Sequence, residues 1–206
     1  MATRELTRPE FEVLNVVALK KMATAGVVAE VLGTSEAKVE ETAGALESDD
    51  LLGRAGDQLL PTDSAEPALA AFAEGEYADL RAGEGDDVHE RFEKINAKLL
   101  AAMTSWQEVD VGGQKMANDH SDPDYDEKVI GQVEKLVRRL KPIAETLTEH
   151  DERFGRYGER FDAALDRVDR GETDYLSSPT VESVHNLWFE FHEDLLRTLG
   201  KERKEA

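Results

Sequence analysis

Apolar residues recur three and four positions apart along most of the chain, which is the pattern of amphipathic helices. Four long segments show this pattern after residue 87, and each carries a single apolar stripe. The stripes comprise Val88, Phe92, Ile95, Leu99, Met103 and Trp106; Val129, Val133, Leu136, Leu140, Ile143 and Leu147; Phe154, Tyr157, Phe161, Ala164 and Val168; and Val181, Val184, Trp188, Phe191, Leu195 and Leu199. Because four such stripes bury one another best when packed together, we predict a four-helix bundle over residues 88–206.

Helix boundaries in this region are marked by glycine, proline and capping residues. Gly171 and Gly200 are expected to end helices, and Ser178-Pro179 has the order of an N-cap followed by a first-turn proline. Asp126 is expected to cap the second bundle helix. Pro142 lies inside that helix and should kink it, because proline lacks a donor and clashes one turn back.

The stretch Val109–Tyr125 is long and mostly polar, and its apolar residues do not recur at helical spacing. We predict a loop there, with Asp122-Pro123-Asp124 building a turn. Loops of this length in compact domains are uncommon and are often functional or disordered.

The N-terminal part begins with a predicted helix from Pro9 to about Met22, which places Phe11, Leu14, Val17 and Leu19 toward a core. A further helix is predicted over Ala68–Arg81, after a short link bracketed by Pro61 and Pro67. Residues 82–87 are glycine-rich and charged, which indicates a flexible linker.

Between these helices, residues 25–62 have the pattern of a winged helix-turn-helix. Gly33 can adopt the positive φ that the turn needs, and Thr34 or Ser35 can cap the second helix. Residues expected to face the core are Val31, Leu32, Val39, Ala43 and Leu46. Leu51 to Leu60 is the one hairpin candidate, with 55–57 at its tip, and would form the wing. We therefore predict an all-α protein with a winged helix-turn-helix over residues 1–65, a connecting helix and linker over 66–87, and the bundle over 88–206.

A winged helix of this kind would bind DNA by placing the helix that begins near Ser35 in the major groove. The residues available are Ser35, Lys38 and Thr42, with Arg54 of the wing on a phosphate. The same helix also carries four carboxylates, those of Glu36, Glu40, Glu41 and Glu47. Because carboxylates repel phosphate, the alternative is a winged helix that binds protein or is purely structural.

The charge of the whole chain bears on the same question. There are 25 basic and 45 acidic residues, a net charge of −20, and residues 1–62 and 63–206 carry −5 and −15 of it. Nucleic acid and anionic membranes both attract basic surfaces, so both are disfavoured as partners, although a local basic patch stays open for DNA.

The absence of cysteine excludes disulfides, thiolate metal sites and a cysteine nucleophile. No apolar run is long enough to span a membrane, and residues 1–5 lack the apolar core of a signal peptide. We therefore expect a cytoplasmic location.

One candidate metal site lies in the last helix. Glu182 and His185 form a Glu-x-x-His motif, and His192 lies two turns further on the same face. Di-iron bundles use two such motifs with two further glutamates, and a second motif is missing here. The alternative is a pair of half-buried histidines bonded to neighbouring groups. No catalytic or phosphate-binding motif is present, so we predict no enzyme activity and no cofactor.

Three sequence strings resemble those of actinobacterial MarR-like winged-helix proteins with a helical C-terminal domain. The strings are Trp106-Gln107, residues 118–126 (NDHSDPDYD) and residues 185–200 (HNLWFEFHEDLLRTLG). The same arrangement is similar to a region attached to some pyruvate phosphate dikinase-like, phosphoenolpyruvate-utilising proteins. The dikinase catalytic motifs are absent from this chain, so the resemblance implies association with such an enzyme rather than its chemistry.

The resemblance also implies that the 118–126 segment meets the helix from His185. A ligand pocket would then be lined by Trp106, Asp119, His120, Tyr125, His185, Trp188 and His192. The alternative is that these residues pin the segment onto the bundle.

Together these observations favour a non-enzymatic regulator of the winged-helix type, whose helical domain dimerises or senses a small ligand. A protein-interaction module that docks a dikinase-like enzyme is the alternative, and a metal-binding bundle is a third.

Overall fold

The computed structural model describes residues 5–203, except the side chain of Val111. The described chain is mostly helical with two small antiparallel sheets, in agreement with the predicted all-α class. The expectation that there is no signal peptide was based on residues 1–5. Of these, residues 1–4 lie outside the described residues. Within residues 5–203, no helix combines the length and the apolar composition that crossing a membrane requires.

Internal contacts divide the chain into two compact units. The first unit comprises residues up to Gly85 together with those from Glu190 onward, and the second unit comprises Asp86–Phe189. The predicted segments differ from this division, because they assigned everything after residue 87 to one bundle.

Among the described residues, the first unit contains five helices, one three-stranded sheet and the C-terminal part of the last helix. Its elements are α1 (Arg8–Lys20), β1 (Ala23–Thr24), α2 (Ala25–Leu32), α3 (Glu36–Ser48), β2 (Leu52–Ala55), β3 (Gln58–Pro61), α4 (Ala65–Glu76) and α5 (Ala78–Ala82).

Helix α1 begins where proline and a capping box indicate. The Thr7 side chain and the Glu10 carboxylate cap each other's backbone, and Pro9 lies in the first turn. All four residues predicted to face the core (Phe11, Leu14, Val17 and Leu19) are buried.

The hairpin β2–β3 has the predicted position, with a two-residue loop in which Gly56 has a φ of +65°. The sheet also contains β1, which pairs antiparallel with β3 through Ala23 and Leu59. This third strand was not predicted, because two residues carry no alternation.

The turn between α2 and α3 follows the prediction, since Gly33 has a φ of +63°. In α3, Val39, Ala43 and Leu46 are buried as predicted. In α2 the buried positions are Ala25, Val28 and Ala29, whereas Val31 and Leu32, both predicted to face the core, are only half-buried.

The single helix predicted over Ala68–Arg81 is instead two helices that meet at Tyr77. Helix α4 already begins at Ala65, and Pro67 lies in its first turn, where a missing donor costs nothing. The predicted flexible linker over 82–87 was wrong in length, since the next helix begins at Gly85.

The C-terminal residues of the first unit are bonded to α1. Asn15 donates to Asp194 at 3.0 Å and accepts from Arg197 at 2.6 Å. Lys20 pairs with Glu190 at 2.9 Å, with both side chains largely buried. These polar contacts explain why residues from 190 onward group with the N-terminal elements.

The second unit contains the remaining elements. They are α6 (Gly85–Gln107), β4 (Glu108–Val111), β5 (Gln114–Ala117), α7 (Pro123–His150), a 3₁₀ turn (Glu152–Phe154), α8 (Gly155–Asp169), α9 (Asp174–Ser177) and the first part of α10 (Val184–Leu199). Most predicted stripe residues are buried, and Ile95 and Val181 are half-buried.

The predicted loop over Val109–Tyr125 was wrong, because β4 and β5 form an antiparallel hairpin there. Gly112 and Gly113 are its two loop residues, with φ values of +65° and +86°. Adjacent positive φ values are what a type I′ hairpin turn requires, and Gly-Gly supplies them.

Two predicted caps are also corrected. Asp122, not Asp126, caps α7 by accepting from the Tyr125 backbone, and Pro123 opens the helix rather than building a turn. Ser178-Pro179 does not open the last helix, which begins at Val184 after Ser183. Helix α7 remains helical through Pro142.

Candidate functional site

The side chains predicted to contact DNA lie on α3 and on the hairpin of the first unit. Ser35 is the exposed N-cap residue of α3, and Lys38 is exposed one turn later. Thr42 is half-buried and donates to the Lys38 carbonyl at 3.0 Å. Its hydroxyl is therefore used within the helix.

Arg54, the cation of the predicted wing, is held by two carboxylates of α3. Its Nη2 and Nη1 donate to the two oxygens of Glu40 at 2.8 and 3.3 Å, and its Nε donates to Glu47 at 2.8 Å. The hydrogen bond from Arg54 lowers the pKa of Glu40, and the two carboxylates raise the pKa of Arg54. The positive charge of the guanidinium is thus neutralised by two carboxylates of the same unit.

The surface around this ion pair is acidic. Residues 25–61 contain eight acidic and two basic side chains, Lys38 and Arg54. Glu36 and Glu41 are exposed and form no ion pair within residues 5–203. We refer to Glu36, Glu40, Glu41 and Glu47 as the α3 carboxylates.

In the second unit, Asn118 lies at the centre of a group of polar and aromatic side chains. Its Nδ2 donates to the Trp106 carbonyl at 3.1 Å and to Asp126 Oδ1 at 2.9 Å. Its Oδ1 accepts from the His120 backbone at 3.1 Å. His120 Nδ1 lies 2.9 Å from Asp126 Oδ2, and the imidazole packs on Trp106 with ring centroids 4.3 Å apart. We refer to Trp106, Asn118, His120 and Asp126 as the His120 cluster.

Tyr125, predicted to line the same pocket, ties the start of α7 to the end of α6. Its hydroxyl donates to the Ser105 carbonyl at 2.9 Å. Asp119 faces Ser121, which donates to it from the backbone at 3.1 Å. Hydrogen bonds from Ser121 and, to a lesser extent, the nearby charge of His120 lower the pKa of Asp119.

Trp188 and His185 belong to the second unit but not to the His120 cluster. The Trp188 ring packs against Phe92 and Phe161, with centroids 5.6 and 6.1 Å away, and its Nε1 donates to the buried Asn96 at 3.1 Å. His185 is half-buried, and burial lowers the pKa of its imidazole.

Two residues of the predicted pocket and metal site remain, His192 and Glu182. His192 is buried in the first unit. Glu182 accepts from Arg160 Nη2 at 2.5 Å. Within residues 5–203, no three His, Asp or Glu side chains converge in a way that could hold a metal ion. Of the three predicted metal ligands, Glu182 and His185 belong to the second unit and His192 to the first.

Sequence reasoning missed the roles of four residues in these groups. Glu40 and Glu47 lie seven residues apart and so share a helix face, which is a detectable signal, but their engagement of Arg54 depends on hairpin placement. Asn118 was noticed only as part of a polar string, and Asp126 was predicted only as a helix cap. No protein-family model matches the chain, and no curated protein or solved structure matches it either.

Proposed function

We propose that the first unit is a winged-helix domain, that the second unit is part of a four-helix bundle, and that the protein is a non-enzymatic interaction module. In this proposal α3 with the β2–β3 hairpin docks a basic protein partner in the cytoplasm. The element order of three helices and a three-stranded sheet with a hairpin supports the winged-helix assignment.

The observation that carries the proposal is the engagement of Arg54 by Glu40 and Glu47. An exposed ion pair is worth at most about 1 kcal/mol, so the guanidinium itself could be released to a phosphate. Its release would, however, leave both carboxylates bare beside that phosphate, and like charges repel. DNA would therefore lose more at Glu40 and Glu47 than it gains at Arg54.

A basic protein surface would be attracted by the carboxylates that repel DNA. Lysine or arginine side chains of a partner would face the exposed Glu36 and Glu41 without displacing Arg54. Complementary charge of this kind speeds association and selects against acidic partners. The resemblance of the chain to a region attached to dikinase-like, phosphoenolpyruvate-utilising proteins supports such an enzyme as the first partner to test.

The test compares affinity capture by three immobilised proteins: the wild type, Glu36→Gln/Glu41→Gln, and the control Glu145→Gln/Glu149→Gln. Both double variants remove two exposed carboxylates, but Glu145 and Glu149 lie on α7. We expect a partner that the wild type and the control retain, that the α3 variant loses, and that salt releases. Equal retention by the two double variants would overturn the proposal.

The second candidate is a DNA-binding regulator whose helical domain dimerises or senses a ligand, and the same element order favours it. Phosphate neutralisation makes DNA binding strongly salt-dependent. If the upstream region of its own gene is retarded by the protein at low salt, this candidate replaces the first.

A further inference from the structure

The imidazole of His120 is held in one orientation by three neighbours. Asp126 faces Nδ1 at 2.9 Å, Trp106 packs on the ring, and Asn118 fixes the backbone amide. His120 also has a φ of +56°, a left-handed conformation that is uncommon for residues other than glycine. Such a conformation persists where the surroundings determine it.

The hydrogen-bond inventory of Asn118 fixes the tautomer of this imidazole. A carboxamide nitrogen has two hydrogens, and those of Asn118 go to the Trp106 carbonyl and to Asp126. The orientation of the amide is set, because its oxygen accepts from the His120 backbone. No hydrogen remains for the 3.2 Å contact to His120 Nδ1.

Nδ1 must therefore carry its own proton, which it donates to Asp126. In the neutral ring the other nitrogen, Nε2, then holds a lone pair. Nε2 has no hydrogen-bond partner in the part of the chain that the structure describes, and 42% of the His120 side chain is exposed. A carboxylate behind one nitrogen and an accessible lone pair on the other is the arrangement that orients a reactive histidine.

We propose that Nε2 of His120 is a modification site that accepts an acyl group from an uncharged, activated acyl donor. The lone pair attacks the carbonyl carbon and forms the N–C bond, while the bond to the leaving oxygen breaks with its electron pair. The Nδ1 proton passes through the Asp126 carboxylate and solvent to that oxygen. The products are a neutral N-acylimidazole and the protonated leaving group.

The charge around His120 favours an uncharged donor over an anionic one. Asp119, Asp122, Asp124 and Asp126 all lie within six residues of it in sequence, with no lysine or arginine between 116 and 127. The whole chain carries −20. These charges repel phosphoryl donors and leave neutral esters and carbonates unaffected.

The test uses diethyl pyrocarbonate as the probe and follows each of the five histidines by peptide mass spectrometry. We expect His120 to be carbethoxylated first in the full-length chain. In Asp126→Asn the carboxamide can donate to Nδ1, which moves the ring proton to Nε2 and removes the lone pair, so the modification rate of His120 should fall several-fold. The control Asp124→Asn makes the same charge change at an exposed carboxylate nearby and should leave the rate unchanged.

A second measurement separates this chemistry from a purely structural role. Ring ¹⁵N chemical shifts of His120 should indicate the Nδ1–H tautomer in the wild type and in Asp124→Asn, and the Nε2–H tautomer in Asp126→Asn. The proposal is overturned if His120 reacts no faster than the other histidines, if the two variants slow it equally, or if the wild type has the Nε2–H tautomer.

Discussion

Arg54 of β2 and Glu40 of α3 form a bidentate ion pair, with Nη2–Oε2 and Nη1–Oε1 distances of 2.8 and 3.3 Å. Two parallel bonds give this pair a defined geometry as well as a charge contact. The ion pair thereby attaches the hairpin to the face of α3 through side chains.

Arg54→Gln should lower the free energy of unfolding by no more than about 1 kcal/mol at neutral pH, because the pair is exposed. The loss should depend on pH. The pKa of Glu40 is lowered in the folded protein, chiefly by its hydrogen bond from Arg54. The ion pair therefore stabilises the fold fully above pH 4.5, the ordinary pKa of glutamate. This contribution is lost as pH falls through the lowered pKa of the folded state. Urea unfolding of both proteins at neutral and acidic pH measures this, and a difference that persists in strong acid would contradict it.

Two glycines, one just before α3 and one within it, should respond to alanine in opposite directions. Gly33 has a φ of +63°, and forcing a Cβ into that conformation should cost about 1 kcal/mol. Gly44 lies inside α3 with no atom within 4 Å of the position that a Cβ would occupy, so Gly44→Ala should stabilise by about 0.5–1 kcal/mol. Thermal unfolding of the two variants provides the comparison, and equal shifts would contradict the turn geometry.

Asn96→Ala should destabilise the second unit by about 1–3 kcal/mol, because it leaves the buried Trp188 Nε1 without its acceptor. The Trp188→Phe variant has no indole donor that needs an acceptor. Asn96→Ala should therefore lower the free energy of unfolding less in this variant than in the wild type. A double-mutant cycle by urea unfolding measures the difference. Additive losses would show that the hydrogen bond contributes nothing specific.

His185 should make the fold less stable in mild acid. Burial lowers the pKa of its imidazole, so the folded protein binds this proton less readily than the unfolded chain. The resulting stabilisation is fully present above 6.5, the ordinary pKa of histidine, and is lost as pH falls through the lowered folded value. His185→Gln should reduce the loss of unfolding free energy between pH about 7.5 and about 5.5. An NMR titration midpoint of His185 at or above 6.5 would contradict this prediction.

Periodicity predicted the helices well where a long apolar stripe faces a core, as in α7 and α8. It failed where structure depends on a few residues. The hairpin β4–β5 is defined by Gly112-Gly113, while only β4 alternates polar and apolar residues, over just four positions, and β5 shows no alternation and is exposed throughout. Strand β1 exists only because β3 pairs with it.

The candidate sites were predicted as residue types rather than as arrangements. His120, Trp106 and Tyr125 were recognised, but the bonding of Asn118 that orders them depends on the path of the chain after β5. Trp188 was assigned to the same group from the resemblance, whereas it contacts Phe92 and Phe161 in the core of the second unit. The engagement of Arg54 likewise needed the placement of the hairpin against α3.

The hairpin β4–β5 also has a consequence for how the chain is attacked by proteases. Within residues 5–203 it pairs with no third strand, its second strand is exposed at every position, and Met116 is 54% exposed. Isolated two-stranded hairpins are only marginally stable in water, so this segment should open locally while the helices on either side stay folded. Limited proteolysis should therefore cut first near Lys115 and leave two large fragments that retain their own helices.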